Sequence, residues 1–288
     1  MTCRSAASPR ETGSDMLDRQ RIRHDLRVRE VTVSAVSQIS PSMRRITFSS
    51  PTLDDFLAPG PADHVKLFLP DAHGVINAPA VDAEGRLRRP DAPLISRDYT
   101  PRAWRAAEGG HEAQIDIDFV LHEGGPATNW ARAAAVGDHL VIAGPRGSRT
   151  APLEAARAVL IADATALPAL ARWLETLPGR TVIDVIVWGT DEADAEYLDV
   201  RLRTRIASLN WVPADAPSSA LEDAVAGIDF DAGTFVWAAG EASALIPVRR
   251  HLRGLEVLDR RDLDVQGYWK RGVVALDHHA PLDPSDPE

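Results

Sequence analysis

The chain has 288 residues, room for two domains of ordinary size, and 44% of them are hydrophobic, enough to fill real cores. Acidic residues outnumber basic ones by 42 to 32, and the formal net charge of -10 excludes the broad basic footprint of a nucleic-acid binder. A single cysteine, Cys3, excludes an internal disulfide and an iron–sulfur cluster held by four thiolates of this chain, and no stretch approaches the roughly 20 apolar residues that span a bilayer.

Residues 1–25 are polar and charged without an apolar run, which predicts a disordered extension rather than a signal peptide, and with it a cytoplasmic protein. Over residues 26–150 the pattern is that of strands. VTVSAV (31–36), RRITFSS (44–50), HVKLFLP (64–70), ISRDYTP (95–101), AQIDIDFVLH (113–122) and HLVIAGP (139–145) are β-rich runs parted by turn formers, which predicts a small antiparallel barrel of six strands. Residues 71–94 read as a long irregular insertion.

Within SRDYTPR (96–102), alternation sends Arg97 and Tyr99 to one face and Asp98 and Thr100 to the other, and Pro101 is expected to end the pairing. An edge strand explains that much. A ligand explains more: guanidinium suits phosphate, a phenol ring suits a flat π-face and a hydroxyl suits a heteroatom edge, so an aromatic dinucleotide fits. A second constellation, HEGGPAT (122–128), leads two glycines and a proline into a short helix. Its N-terminus offers unpaired N–H groups to a pyrophosphate, or is an ordinary connection capped by Thr128.

From residue 151 to 276 strands alternate with helices, which predicts an α/β domain with a parallel sheet. AARAVLIAD (155–163), TVIDVIVWGT (181–190) and TFVWAAG (234–240) read as buried strands, and residues 166–179 and 243–254 as helices closed by Gly179 and Gly254. No G-x-G-x-x-G is present. Instead Asp163, Thr165, Gly189 and Gly240 fall at strand ends, where open α/β sheets collect ligands. VQGYWKRG (265–272) is either a last strand packing its aromatics or a lid over a flat ring, and residues 277–288 form an acidic tail expected to be flexible.

The ordered series VKLFLP, RDYTPR, DFVLHEGGPATNWA, GDHLVIAGPRGS, DATALPALARWLE, WAAGEAS and GYWKRG resembles the siderophore-interacting proteins, ferric-siderophore reductases of the ferredoxin–NADP reductase superfamily, over residues 28–272. The resemblance implies an FAD-binding barrel followed by an NAD(P)-binding α/β domain. It implies that Arg97 contacts the FAD phosphates, Tyr99 lies against the flavin and Thr100 reaches its reactive edge, with His122, Gly125, Pro126, Ala127 and Thr128 along the ribityl chain and pyrophosphate. Trp269 would lie near the flavin, and Asp163, Thr165, Trp188, Gly240 and Glu241 around NAD(P)H. The chain departs from the family pattern at Thr128, where many relatives carry Ser, and at Pro247, expected to interrupt the helix after GEAS.

The expected function is electron transfer from NAD(P)H through FAD to Fe(III) in a siderophore, which would dock on an open cleft at Lys66, Lys270 and Arg271. No acid–base dyad and no resident metal are needed, and neither membrane nor nucleic acid is an expected partner of the monomer. A flavin reductase serving an oxygenase or another protein, and a non-catalytic siderophore or flavin carrier, are the alternatives. Arg201, Arg203, Arg205, Arg249 and Arg250 are candidates for a 2′-phosphate contact that would favour NADPH over NADH.

Overall fold

Alternation along residues 28–49 puts Val31, Val33, Ile46 and Phe48 on one buried face, and that face rolls the N-terminal domain around itself. The computed structural model describes residues 17–82, 84–276 and 281–286. Seven antiparallel strands form one sheet in the order Ser96–Tyr99, Val65–Phe68, His139–Ala143, Val28–Ser40, Met43–Ser49, Gln114–Val120 and Pro101–Arg105. Its two edge strands are consecutive in the chain and separated only by Thr100, so the sheet curls until its edges converge there. The helix Pro126–Ala133 packs on the enclosed core through Ala127, Ala131 and Trp130.

All six expected barrel segments are strands. Pro101, expected to end pairing, instead begins the seventh, because the first residue of an edge strand loses nothing by lacking an N–H. The insertion carries a small hairpin of its own, Ala80–Val81 against Leu87–Arg88.

The second domain is a parallel sheet of five strands, in the order Ser208–Pro213, Val182–Thr190, Arg157–Ala162, Thr234–Glu241 and Leu263–Trp269. From Arg157–Ala162 the chain builds outward on one side, then returns to build on the other. The strand order therefore reverses between Arg157–Ala162 and Thr234–Glu241, and a crevice at their carboxyl ends is where such sheets bind ligands. Sequence periodicity misses Ser208–Pro213, which is an edge strand with mostly exposed side chains. VQGYWKRG is a strand as far as Trp269. Pro247 does not interrupt the helix Ala242–Gly254; it sits in the second turn, where only one carbonyl, that of Ser243, loses its partner.

The expected disorder at the termini does not hold for the described part, residues 1–16 lying outside it. Arg21–Arg23 pairs with Gly147–Arg149, and Arg19 crosses to the second domain. There its guanidinium lies 5.3 Å from the centre of Trp173 and 4.9 Å from that of Phe235, and donates to Asp264 at 2.6 Å. Polar composition hid this because the segment contributes chiefly backbone pairing and one buried charge, with Leu17 its apolar contact to the core. At the other end Leu282 packs into the second core, and Asp283 and Asp286 pair with Arg250 and Arg249 at 2.7 and 3.1 Å. Because Arg19 and Asp264 are only 3% and 9% exposed, Arg19→Ala removes the close partner of a carboxylate in a poorly solvated site, leaving it Gln266 at 2.7 Å and the Arg149 guanidinium at 4.0 Å. It is expected to lower stability by about 3 kcal/mol, read from the midpoint of chemical denaturation.

Candidate functional site

The pairing of Val65 with Tyr99 and Leu67 with Arg97 places the guanidinium and the phenol on the face of the buried Val65 and Leu67. The half-buried Tyr99 ring rests on Phe119 with centroids 4.5 Å apart, and Phe119 rests on Trp130 at 5.8 Å. That chain of rings brings SRDYT and the helix after HEGGP together. Burial raises the Tyr99 phenol above its usual range, so the ring stays neutral. Arg97 donates to the Ser96 carbonyl at 2.7 Å and meets no carboxylate among the described residues.

At the helix start Gly124 and Gly125 take φ of 74° and 91°, a region that favours glycine, Pro126 holds the first helical position and no side chain caps the end. The N–H groups of Ala127 and Thr128 are thereby left for an anion. Thr128 is not the cap. Its buried hydroxyl donates to the Val120 carbonyl at 3.0 Å and accepts from the His122 N–H at 3.2 Å, pinning the two ends of the loop. The exposed His122 ring flanks Gly125, where an added Cβ would lie 3.3 Å from it. A guanidinium without a carboxylate, a flat ring and an uncapped helix start are the donor set that an aromatic dinucleotide needs, and the residues present fit FAD.

In the second domain the crevice is held by Asp163. One of its oxygens accepts from the Thr165 N–H and hydroxyl at 2.8 and 2.6 Å, the other from the Glu241 N–H at 2.9 Å and Trp269 Nε1 at 2.7 Å. No cation pairs with it among the described residues, and burial raises its pKa while these hydrogen bonds oppose the shift. A carboxylate has about four lone-pair sites, and all four are used. Asp163 therefore organises the crevice rather than presenting oxygens to a ligand. Gly240 was expected to admit a cofactor, but the space beside it is filled: a Cβ there would lie 2.5 Å from Asp163 Cγ and 2.6 Å from the buried Trp188 ring. Glu241 caps the following helix by accepting from Ala244 N–H at 2.7 Å, and takes the Arg271 N–H at 3.1 Å.

The two halves meet at Thr100, which is buried. Tyr268 approaches it, its hydroxyl out of water and without a hydrogen bond of ordinary geometry. Trp269 donates its indole N–H to Asp163 at the crevice and is 38% exposed. Sequence reasoning missed Tyr268. Strand alternation was the available signal, because neighbours on a strand face opposite sides.

Lys66 is not the free cation expected of a substrate contact. It pairs with Asp98 at 2.7 Å, on the face of the strand opposite Arg97. Lys270 and Arg271 are exposed beside the crevice, with no carboxylate partner for either side chain among the described residues. Of the 2′-phosphate candidates, Arg203 and Arg205 donate to carbonyls, and Arg249 and Arg250 hold the tail. Arg201 remains exposed, 3.7 Å from Glu175.

A curled antiparallel sheet with an uncapped helix start, joined to a parallel sheet whose strand order reverses, defines a two-domain protein of the ferredoxin–NADP reductase-like fold. Residues 32–149 match the siderophore-interacting FAD-binding domain and residues 155–272 the siderophore-interacting protein family. The chain is 37% identical over 257 residues to an NADPH-dependent ferric-chelate reductase of Escherichia coli, covering 87% of this chain and 96% of that one. It is 27% identical to a ferric acinetobactin reductase of Acinetobacter baumannii, covering 95% of this chain and 88% of that one. A siderophore utilization protein from T. fusca superposes with a TM-score of 0.81 at 37% identity, over 91% of this chain and all (100%) of that one. The chain belongs to the siderophore-interacting protein family.

The packing at Gly240 gives a direct test. Gly240→Ala drives a methyl group into Asp163 and Trp188 at a φ of 150°. The expected result is destabilisation of about 2 kcal/mol or more together with loss of nucleotide binding, measured by thermal unfolding and by titration with NAD(P)⁺.

Proposed function

We propose that the protein reduces siderophore-bound Fe(III) with electrons from NAD(P)H, two ferric ions for each hydride, and so releases Fe(II). FAD, when bound, supplies the conversion of an electron pair into the single-electron steps that iron accepts. The chain's own residues bind and orient. Arg97 and the Ala127 and Thr128 amides hold phosphate, Tyr99 supports the flat ring, and His122, Gly125 and Pro126 shape the loop between them. Asp163, Thr165, Trp188, Gly240 and Glu241 form the crevice wall that receives nicotinamide, with Trp269 at its mouth.

The observation that carries this reading is the seam at Thr100. A residue adjacent to the flavin-supporting Tyr99 stands next to Tyr268, one residue from the Trp269 that closes onto Asp163. Flavin and nucleotide sites so arranged share a border, which hydride transfer requires. The names of the Escherichia coli and Acinetobacter baumannii relatives agree with ferric chelates as acceptors. No helix among the described residues is long and apolar enough to cross a membrane, and this reading places a monomeric enzyme in the cytoplasm, beside its NAD(P)H supply. Exposed Lys270 and Arg271 are the cations that meet an anionic chelate.

Anaerobic stopped-flow mixing tests it. NADH or NADPH is expected to bleach the bound flavin, and a ferric siderophore to restore its colour with about two Fe(II) captured per nucleotide oxidised. A carrier shows no bleaching, and a reductase dedicated to a protein partner shows bleaching without chelate reduction. Arg97→Ala is expected to weaken FAD binding on the order of ten- to a hundredfold, measured by flavin fluorescence titration. Lys270→Ala combined with Arg271→Ala is expected to raise KM for an anionic ferric chelate a few-fold and to flatten its salt dependence, with flavin reduction unchanged.

A further inference from the structure

Two buried carboxylates outside both half-sites join the domains. Asp118, on the strand Gln114–Val120, accepts from Arg45 at 2.7 and 2.8 Å and from the Tyr197 hydroxyl at 2.5 Å. Asp194 accepts from the hydroxyls of Ser40 and Ser42, each at 2.6 Å, and from the Ser42 N–H at 3.1 Å. Asp194 and Tyr197 belong to one turn, Glu192–Tyr197, which starts two residues after the strand that carries Trp188 into the nucleotide crevice. On the other side, alternation turns Asp118 toward this turn and its neighbour Phe119 inward, under the Tyr99 ring. One strand and one turn thus connect the support of the flavin platform to the wall of the crevice.

Apolar packing at this junction would hold the domains together but would tolerate sliding. Hydrogen bonds to buried carboxylates do not, because each has a preferred direction and a fixed length. Hydride transfer is sensitive to such placement, and an error of about 1 Å costs roughly a hundredfold in rate. Resting on the function proposed above, we infer that Tyr197 and Asp194 are positioning residues: they set the nucleotide crevice against the flavin face at the distance and angle that hydride transfer requires.

Tyr197→Phe keeps the buried ring and removes the hydroxyl, and Ser42→Ala removes one donor to Asp194. Ser208→Ala is the control, since its hydroxyl donates to Asp184 at 2.6 Å within the second domain alone. Each is compared with the wild type in FAD content, affinity for NAD(P)⁺, rate of anaerobic flavin reduction, and the long-wavelength absorbance of nicotinamide stacked on flavin. In both junction variants the expected result is normal FAD content and nucleotide affinity, a fall in reduction rate of about tenfold or more and a weakened stacking band, none of it seen in the control. Wild-type reduction rate and band in both junction variants overturn the inference, whatever their thermal stability. If Tyr197→Phe fails to fold, Ser42→Ala decides by the same criteria. Should neither NADH nor NADPH reduce the wild-type flavin, the proposed function fails and this inference with it, whereas normal wild-type reduction with unaffected variants removes only the positioning role.

Discussion

The carboxylate of Asp163 is the constraint on which the crevice depends. It collects four donors from three parts of the chain: Thr165 just after the first strand of the parallel sheet, the Glu241 amide at the end of the fourth and the indole of Trp269 at the end of the fifth. A buried carboxylate without a cation is costly, and hydrogen bonds from well-placed donors are what make it tolerable, each contributing about 1.5–3 kcal/mol. The same demand explains Gly240, since a side chain there would occupy the space taken by Asp163 and Trp188. The switch point of the sheet is thus built around one carboxylate of the protein's own.

A second constraint is topological. The edges of the N-terminal sheet are consecutive strands, so curling brings both edges back to one residue, Thr100. Tyr99 and Arg97 lie just before it, and Tyr268 of the second domain just across from it. Closure of the sheet and apposition of the two sites are therefore one geometric event. The junction at Asp118 and Asp194 and the Arg19 strap hold that apposition from other directions.

Much of the fold was legible. The six barrel strands and the three buried strands of the parallel sheet stand out because alternation and apolar runs follow directly from one-sided and two-sided burial. The strand Ser208–Pro213 did not, since an edge strand with exposed side chains carries little hydrophobic signal. The described parts of the terminal segments, residues 17–25 and 281–286, were misread for a related reason: Arg19, Asp283 and Asp286 are polar, and only their partners reveal that they are docked.

Of the site, the sequence by itself determined which chemical groups are present and on which local elements: Arg97 and Tyr99 on one face of a strand, glycines ahead of a helix, and Asp163, Gly240 and Trp269 near strand ends. What each group does was decided by tertiary structure. Lys66 became half of an ion pair, Thr128 a loop pin, Asp163 a saturated hub, and Tyr268 rather than Trp269 the residue facing Thr100. The reason is physical. Local pattern records burial and backbone geometry, which depend on near neighbours in sequence. A hydrogen bond or ion pair belongs to two residues at once, and which partner arrives, here from as far as 106 residues away in the case of Asp163 and Trp269, is fixed only when the chain has closed on itself.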